Sequence, residues 1–485
     1  MVDQEESNDD GVSTEPGVPS SRFRKLSGVY RFCFLGFTVV GVLLAVHQIL
    51  ALQVLSTVVL LENSYLYLLL AFYLSNIFLI FPFSQKSPRN HVPIYDLVMF
   101  GLCLFISVYF AVTGLQSLEE GWEFLSPTFP VVLAFFLWGL IMEAARRTGG
   151  PAIAVIFGLF SLYPIFADAS FMPALFSGLP QDIVSTARYH LMSEESVLGI
   201  PMRVFGTLII GFILFGVALQ TTGGGRFFIN LAFALLGGVR GGPAKVAIFA
   251  SGLFGSLSGS VVTNVLTTGA MTIPAMKRTG YPARYAGGIE ACASTGGVLM
   301  PPVMGATAFV MASFLEVPYV AVATAAVVPS FLYFFGLFVQ IDSYAARNGV
   351  KGLHPAELPS LRKTISEGWF YVFGFLLLVY LLIYLKREAH APFYATIALL
   401  ALSQFGKLSF REVWYYVLGF GILVYLVVVL ASVRMPAAYT TTLPIGAGIL
   451  LLLLCNVPAH IRVAADKIVD FVESSGRLLA ELVAI

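Results

Sequence analysis

Apolar residues run along this chain in stretches of spanning length, separated by short polar segments that hold most of the charge. That alternation predicts transmembrane helices, because about 20 apolar residues rising about 1.5 Å each cover a hydrocarbon layer of about 30 Å. Spans are expected at 30–52, 64–83, 95–116, 129–145, 151–168 and 204–221. A second series is expected at 285–316 (interrupted), 318–341, 369–385, 391–406, 413–433 and 439–457. The fold class is therefore an all-α polytopic membrane protein with about 12 transmembrane helices.

Residues 243–305 break the smooth pattern. They are apolar overall but punctured by Ser258-Gly259-Ser260, Thr267-Thr268-Gly269, Ser294-Thr295-Gly296-Gly297 and Pro301-Pro302. Freed backbone carbonyls are tolerated at membrane depth only where they line a cavity or meet an ion. Discontinuous helices near the midplane are the mark of a secondary transporter's ion and substrate site.

Charge orients the chain and shapes this stretch. With a cytoplasmic N-terminus, 23 of the 28 lysines and arginines fall in inside segments, the pattern of a correctly oriented membrane protein. Lys245 and the Lys277-Arg278 pair flank 246–276, and both flanks belong inside. A single crossing would invert everything downstream. Two short helical halves joined at Ser258-Gly259-Ser260 satisfy both flanks, so a re-entrant hairpin opening to the cytoplasm is expected over 246–276.

The remaining segments divide as follows. Residues 1–28 form an acidic, Ser/Gly/Pro-rich tail, expected to be disordered and cytoplasmic. Segment 169–197 is polar and external, with Asp182, Glu194 and Glu195, and long enough for a surface helix. Trp369–Leu381 is echoed by Trp414–Leu426, which suggests a duplicated helical hairpin within scaffold helices 351–460. Residues 461–485 pattern as an amphipathic cytoplasmic helix.

Composition narrows the chemistry. The chain is 58% hydrophobic with a net charge of +1, which gives no support to nucleic-acid binding. No Walker A, HExxH or GxSxG arrangement occurs, so neither ATP hydrolysis nor an enzymatic reaction is indicated. The four cysteines lack metal or redox spacing and are expected to be buried small side chains. No cleavable signal peptide is visible.

Sodium, a hard cation, prefers oxygen ligands. Ser258, Ser260, Thr263, Asn264, Thr267 and Thr268 supply them around the hairpin tip and its second arm. Ser294, Thr295, Gly296 and Gly297 supply a second cluster ahead of Pro301 and Pro302. Proline removes a donor, so carbonyls upstream of Pro301 are expected to lose their helical partners, and Gly296-Gly297 eases the unwinding. The competing reading is that small residues only let helices approach closely. Glu290 lies a turn before Ser294 and is either a cation ligand or, as the plainer reading, an end charge at the cytoplasmic interface. Glu143 with Arg146 and Arg147 reads as an interfacial pair, and Asp96 and Asp168 as span-end charges without a special role.

Residues 240–312, RGGPAKVAIFASGLFGSLSGSVVTNVLTTGAMTIPAMKRTGYPARYAGGIEACASTGGVLMPPVMGATAFVMA, resemble the large membrane subunit of tripartite ATP-independent periplasmic (TRAP) transporters. Glu143-Ala-Ala-Arg-Arg-Thr-Gly-Gly and Gly199-Ile-Pro look like the subfamily that works with TAXI-type binding proteins. The resemblance is specific over about 140–350. It implies an elevator-type fold of the ion-transporter superfamily, with 121–350 as the first repeat of the large subunit. Residues 29–120 would then be small-subunit-like helices fused ahead of it. It also implies sodium-coupled uptake of an organic acid delivered by an extracytoplasmic TAXI-type binding protein, with sodium ions and no other cofactor.

By the same resemblance Ser258, Gly259, Ser260 and Asn264 contribute a sodium site, with Gly297 beside them. Thr295, Gly296, Gly297, Pro301 and Pro302 form the facing broken helix, and substrate sits nearby, partly held by positive half-helix ends. Members of the family carry a second, inverted repeat with its own hairpin. No second Ser-Gly-Ser or comparable break follows residue 306, so 461–485 is expected to introduce a repeat that a partner chain supplies or that is missing. Two other readings stay open: a membrane scaffold that docks the binding protein without transport, and a stand-alone ion-coupled carrier.

Overall fold

The computed structural model describes residues 22–50, 60–84, 86–170, 172–405 and 465–484. Residues 1–21 of the expected tail, the spans expected at 413–433 and 439–457 and the second copy of the Trp369 motif lie outside the described residues; residues 22–28, expected to be disordered, are instead held to the helices, with Arg24 fully buried. Every regular element among the described residues is helical.

Three helices come first: α1 (Gly28–Leu50), α2 (Glu62–Ile80) and α3 (Ile94–Val112). They are followed by α4 (Thr128–Gly149), α5 (Pro151–Leu162), α6 (Ile183–Met192) and α7 (Ile200–Thr222). The expected surface helix within 169–197 is α6, started by the Asp182 carboxylate, which accepts from the Val184 and Ser185 N–H groups. The Ser185 hydroxyl first, and then these N–H groups, favour the ionised form and hold the Asp182 carboxyl below its usual range. Among the described residues, seven helices are long and apolar enough to cross a membrane: α1, α2, α3, α4, α7, α13 (Tyr319–Arg347) and the segment Pro355–Ile383, which contains α14 (Leu361–Ile383). Pro151–Phe166, which includes α5, and Ala391–Ser403, within α15 (Ala391–Phe405), are shorter apolar helices at other expected spans. The molecule is a polytopic helical membrane protein.

One helix was not anticipated. No helix is expected between the span at 204–221 and the hairpin at 246–276, yet α8 (Gly224–Leu236) forms there and packs against α14. Its 13 residues reach only about 20 Å, too short for a hydropathy window to register.

The stretch 246–276 is a helical hairpin: α9 (Gly242–Ser258) and α10 (Val261–Arg278) pack on each other around Gly259 and Ser260. The interrupted span is α11 (Ala283–Gly297) and α12 (Ala306–Phe314), parted at the proline pair. Both hairpin arms pack against α11, and α9 packs on α8 as well.

The N-terminal helices are locked to α4 by charge. Arg24 Nη2 and Arg147 Nη1 each lie 2.7 Å from a carboxylate oxygen of Asp96, and all three side chains are fully buried. Arg24 also donates to the carbonyls of Phe78, Leu79 and Pro88, and Arg147 reaches Glu143, which also holds Arg146. Asp96 is thus no idle span-end charge. It is the shared anion of two buried guanidinium groups, which sequence separation hid. Charges out of water persist only when paired and hydrogen-bonded.

The C-terminal amphipathic segment is α16 (Ala465–Val483), which packs on α1 and α7 with Leu479 and Ala480 buried. Arg22–Glu481 and Arg31–Glu473 ion pairs border that contact. Burial raises the Glu481 carboxyl above its ordinary range, with Arg22 working against the shift. Of the described cysteines, Cys103 is buried as expected, whereas Cys33 is half-buried and Cys292 is exposed.

Candidate functional site

The hairpin tip exists because Gly259 adopts φ +61°, the left-handed region that ends a helix without a Cβ penalty. A Cβ there would also come within 2.7 Å of the Met304 carbonyl, so the tip rests against the proline break. Ser260 then starts α10, its hydroxyl accepting from the Thr263 N–H. Across the contact, the Val303 N–H donates to the Ser256 carbonyl at 3.2 Å.

The break is more fully paired than the prolines alone suggest. Pro301 and Pro302 cannot donate to the carbonyls of Gly297 and Val298. Met300 N–H takes Gly297 at 3.2 Å instead, and Gly305 N–H takes Val298 at 2.8 Å. Tyr319 donates its hydroxyl to the Pro302 carbonyl. The expectation that these carbonyls lose their partners is therefore corrected: the turn tightens and supplies replacements.

Below the tip, hairpin and broken helix touch backbone to backbone. A Cβ on Gly297 would lie 2.7 Å from the Ser251 carbonyl and 2.8 Å from the Gly255 Cα. Asn264, fully buried, donates from Nδ2 to the Ser251 carbonyl at 2.9 Å, and its Oδ1 lies 3.4 Å from Thr268 Oγ1. Gly296 faces α13, where Tyr333 leaves no room for a side chain.

One turn further sits Glu290, 0% exposed and therefore not an interfacial end charge. Its Oε1 lies 3.0 Å from Ser251 Oγ and 3.2 Å from Ser294 Oγ, with Thr268 Oγ1 also in contact, and its Oε2 meets Thr272 Oγ1. These hydroxyls come from both hairpin arms and from α11. Ser251 and Thr272 were not singled out in the sequence. The i, i+4 spacing of Thr268 with Thr272 and of Glu290 with Ser294 was the available signal.

Two other expected residues lie elsewhere. Thr295 is exposed and bonds the Ala291 carbonyl of its own helix. Thr267 bonds the Thr263 carbonyl and packs its methyl toward Gly225 of α8. Ser258 closes α9.

A cavity of about 1130 Å³ opens on the other side of the tip. Gly259, Ser260 and Thr263 form one wall, Val303 to Val310 of the break and α12 a second, and mostly apolar residues of α2, α4, α5, α7 and α16 line much of the remainder. The N-termini of α10 and α12 both open onto it, each carrying the partial positive charge of a helix start. Arg22, paired to Glu481, stands at its edge. Of the expected site residues, Gly259 and Ser260 lie on this cavity wall and Thr268 and Ser294 on buried Glu290, with Asn264 and Gly297 between them.

Residues 136–485 match the family described as tripartite ATP-independent periplasmic transporter, DctM component. Among curated relatives, the C4-dicarboxylate TRAP transporter large permease protein DctM of Pseudomonas aeruginosa is 34% identical over 209 residues, 42% of this chain and 48% of that protein. The isethionate TRAP transporter permease protein DctMQ of Oleidesulfovibrio alaskensis is 31% identical over 180 residues, 37% of this chain and 24% of that protein. The sialic acid TRAP transporter permease protein SiaT of Haemophilus influenzae is 26% identical over 250 residues, 44% of this chain and 41% of that protein. The chain matches about half or less of the length of these relatives. With the hairpin, the broken helix and this match in hand, the chain belongs to the DctM-component family of tripartite ATP-independent periplasmic transporters.

Proposed function

We propose that this chain acts as a permease subunit of a secondary, sodium-coupled transporter in the cytoplasmic membrane, importing an organic acid delivered by an extracytoplasmic binding protein of the TAXI type. The observation that carries the reading is the pairing of two helix N-termini, α10 and α12, on one cavity beside the hairpin tip. Helix starts favour anions, and a carboxylate is the anion an organic acid offers. Ser258, Ser260, Asn264 and Gly297 are proposed to hold the coupling sodium, close to that cavity but on its protein side. Both termini are taken as cytoplasmic, in accord with the distribution of lysine and arginine. Residues 29–120 would take the part of the small membrane subunit, and a second inverted repeat, in this or a partner chain, would complete alternating access.

The test is uptake into proteoliposomes holding the chain together with a substrate-loaded binding protein and a chain supplying the second repeat. A sodium gradient should drive accumulation of a labelled organic acid, and Asn264→Ala should weaken its sodium dependence. Docking of the binding protein without any flux would instead favour a scaffold role. Uptake without a binding protein would favour a stand-alone carrier.

A further inference from the structure

The cavity beside the hairpin tip has one patch of hydroxyls and one neutralised ion pair in an otherwise apolar wall. From that wall we infer that it takes a monocarboxylate with a large apolar body, of the medium-chain or arylalkyl class. This rests on the cavity being the substrate site, as in the proposed function, and adds the chemistry of the substrate. Among the described lining residues, only Arg22, Ser260, Thr263, Thr307 and Glu481 have polar side chains. Three of these gather at the helix starts. Ser260 begins α10 and Gly305 begins α12, and a Cβ on Gly305 would stand 3.7 Å from the Gly259 carbonyl. Thr263 and Thr307 lie in the first turns of these helices, and their hydroxyls bond to no described residue. Two helix starts and two available hydroxyls give one carboxylate its donors.

A second anion finds no counterpart. Arg22 lies 2.8 Å from Glu481, which neutralises it. No other lysine, arginine or histidine lines the cavity among the described residues. A second carboxylate would meet hydrocarbon or the Glu481 carboxylate itself, and a buried charge without a partner is costly. One acid group per molecule is what the charges around the cavity accommodate.

The apolar wall sets the rest of the ligand. Leu74 of α2, Ile209 and Ile213 of α7, Phe309 of α12 and Leu482 of α16 all line the same space. Its volume is about 1130 Å³, above the roughly 300–1,000 Å³ that commonly encloses a drug-sized molecule. A short acid held at the helix starts would leave most of this wall facing water and gain nothing from it. A longer apolar body displaces that water, and the gain grows with the apolar area covered. Each methylene buried there should tighten binding about fourfold.

Binding of labelled octanoate to the full chain in phosphatidylcholine nanodiscs, with empty nanodiscs subtracted, tests this. Butyrate, hexanoate and octanoate should displace the label with affinities that rise about fourfold per methylene. Octanamide, which lacks the charge, and succinate, which carries two, should each compete roughly tenfold less well than octanoate. Ile213→Gln and Leu482→Gln place a polar side chain in the wall from two separate helices, and each should flatten the rise with chain length. Should one of them fail to fold, the other decides. The inference is overturned if octanoate does not bind, if succinate competes as well as hexanoate, or if neither variant alters the rise. Equal competition by octanamide also overturns it, marking a site for lipid tails. The expected order of binding without any uptake in proteoliposomes supports the cavity's preference and counts against transport alone. Sodium-driven uptake of succinate in preference to octanoate upholds transport and overturns the preference.

Discussion

Asn264 Nδ2 reaches across the hairpin to the Ser251 carbonyl at 2.9 Å, joining two helices whose contact residues are thirteen positions apart in sequence. Gly297 passes beside the same pair, so one side chain closes a junction of three elements. Asn264→Ala removes the additional side-chain bond to the Ser251 carbonyl, within α9, at a cost of about 0.5–1.5 kcal/mol. Ser260→Ala removes the start signal of α10 at about 1 kcal/mol. Both should raise the sodium concentration needed for half-maximal uptake while leaving membrane insertion unchanged. A sodium titration of flux, alongside a protease-protection check of insertion, reads both.

Gly297→Leu should abolish transport, because even a Cβ there meets the Ser251 carbonyl and the Gly255 Cα inside contact distance. Gly287, two turns and more earlier on α11, has open space around its Cβ position, so Gly287→Leu is the matched control. Equal loss in both variants would show that bulk on α11, rather than the close approach at Gly297, is what matters.

Asp96→Asn should be far more damaging than Asp342→Asn. The first strips the shared anion from two buried guanidinium groups, a loss of about 3–5 kcal/mol. The second removes a partner from the outer Arg240–Asp342–Lys245 cluster, where Arg240 and Asp342 are in reach of solvent that screens the pairing. Thermal unfolding in detergent should separate the two variants clearly.

His390, in the turn between α14 and α15, is held below its ordinary 6.5 by burial and then by the Arg387 charge. A base with a depressed folded value binds its proton more readily when unfolded. Stability is therefore complete above about pH 6.5 and falls as pH drops through that value toward the lower folded one. His390→Gln should flatten that part of the stability profile, measured as melting temperature against pH.

Long apolar runs carried most of the fold. Ile94–Val112 and Thr128–Gly149 fall almost where the runs at 95–116 and 129–145 place them, because a hydrophobic stretch bounded by polar residues has few other solutions. The hairpin was legible from its flanking Lys245 and Lys277 together with Ser258-Gly259-Ser260, a local signal. What escaped was short or non-local. Gly224–Leu236 is too brief for a hydropathy window, and the burial of Asp96 depends on Arg24 and Arg147, 72 and 51 positions away. Within the site, the tip and the proline break were visible as breaks in a helix. Which hydroxyls face Glu290 was not, since Ser251 becomes its neighbour only once α9 folds back along α10.

The Arg24–Asp96–Arg147 cluster also has a bearing on dissection of the molecule. Severing the polypeptide in the connection between α3 and α4 would break one covalent link but leave Asp96 on one fragment and Arg147 on the other. Arg24 would keep Asp96 and Glu143 would keep Arg147, so each fragment stays paired within itself but loses the buried ion pair that spans the cut. The severed pieces should therefore recombine with each other in preference to remaining apart, and the lock that joins them is electrostatic before it is covalent.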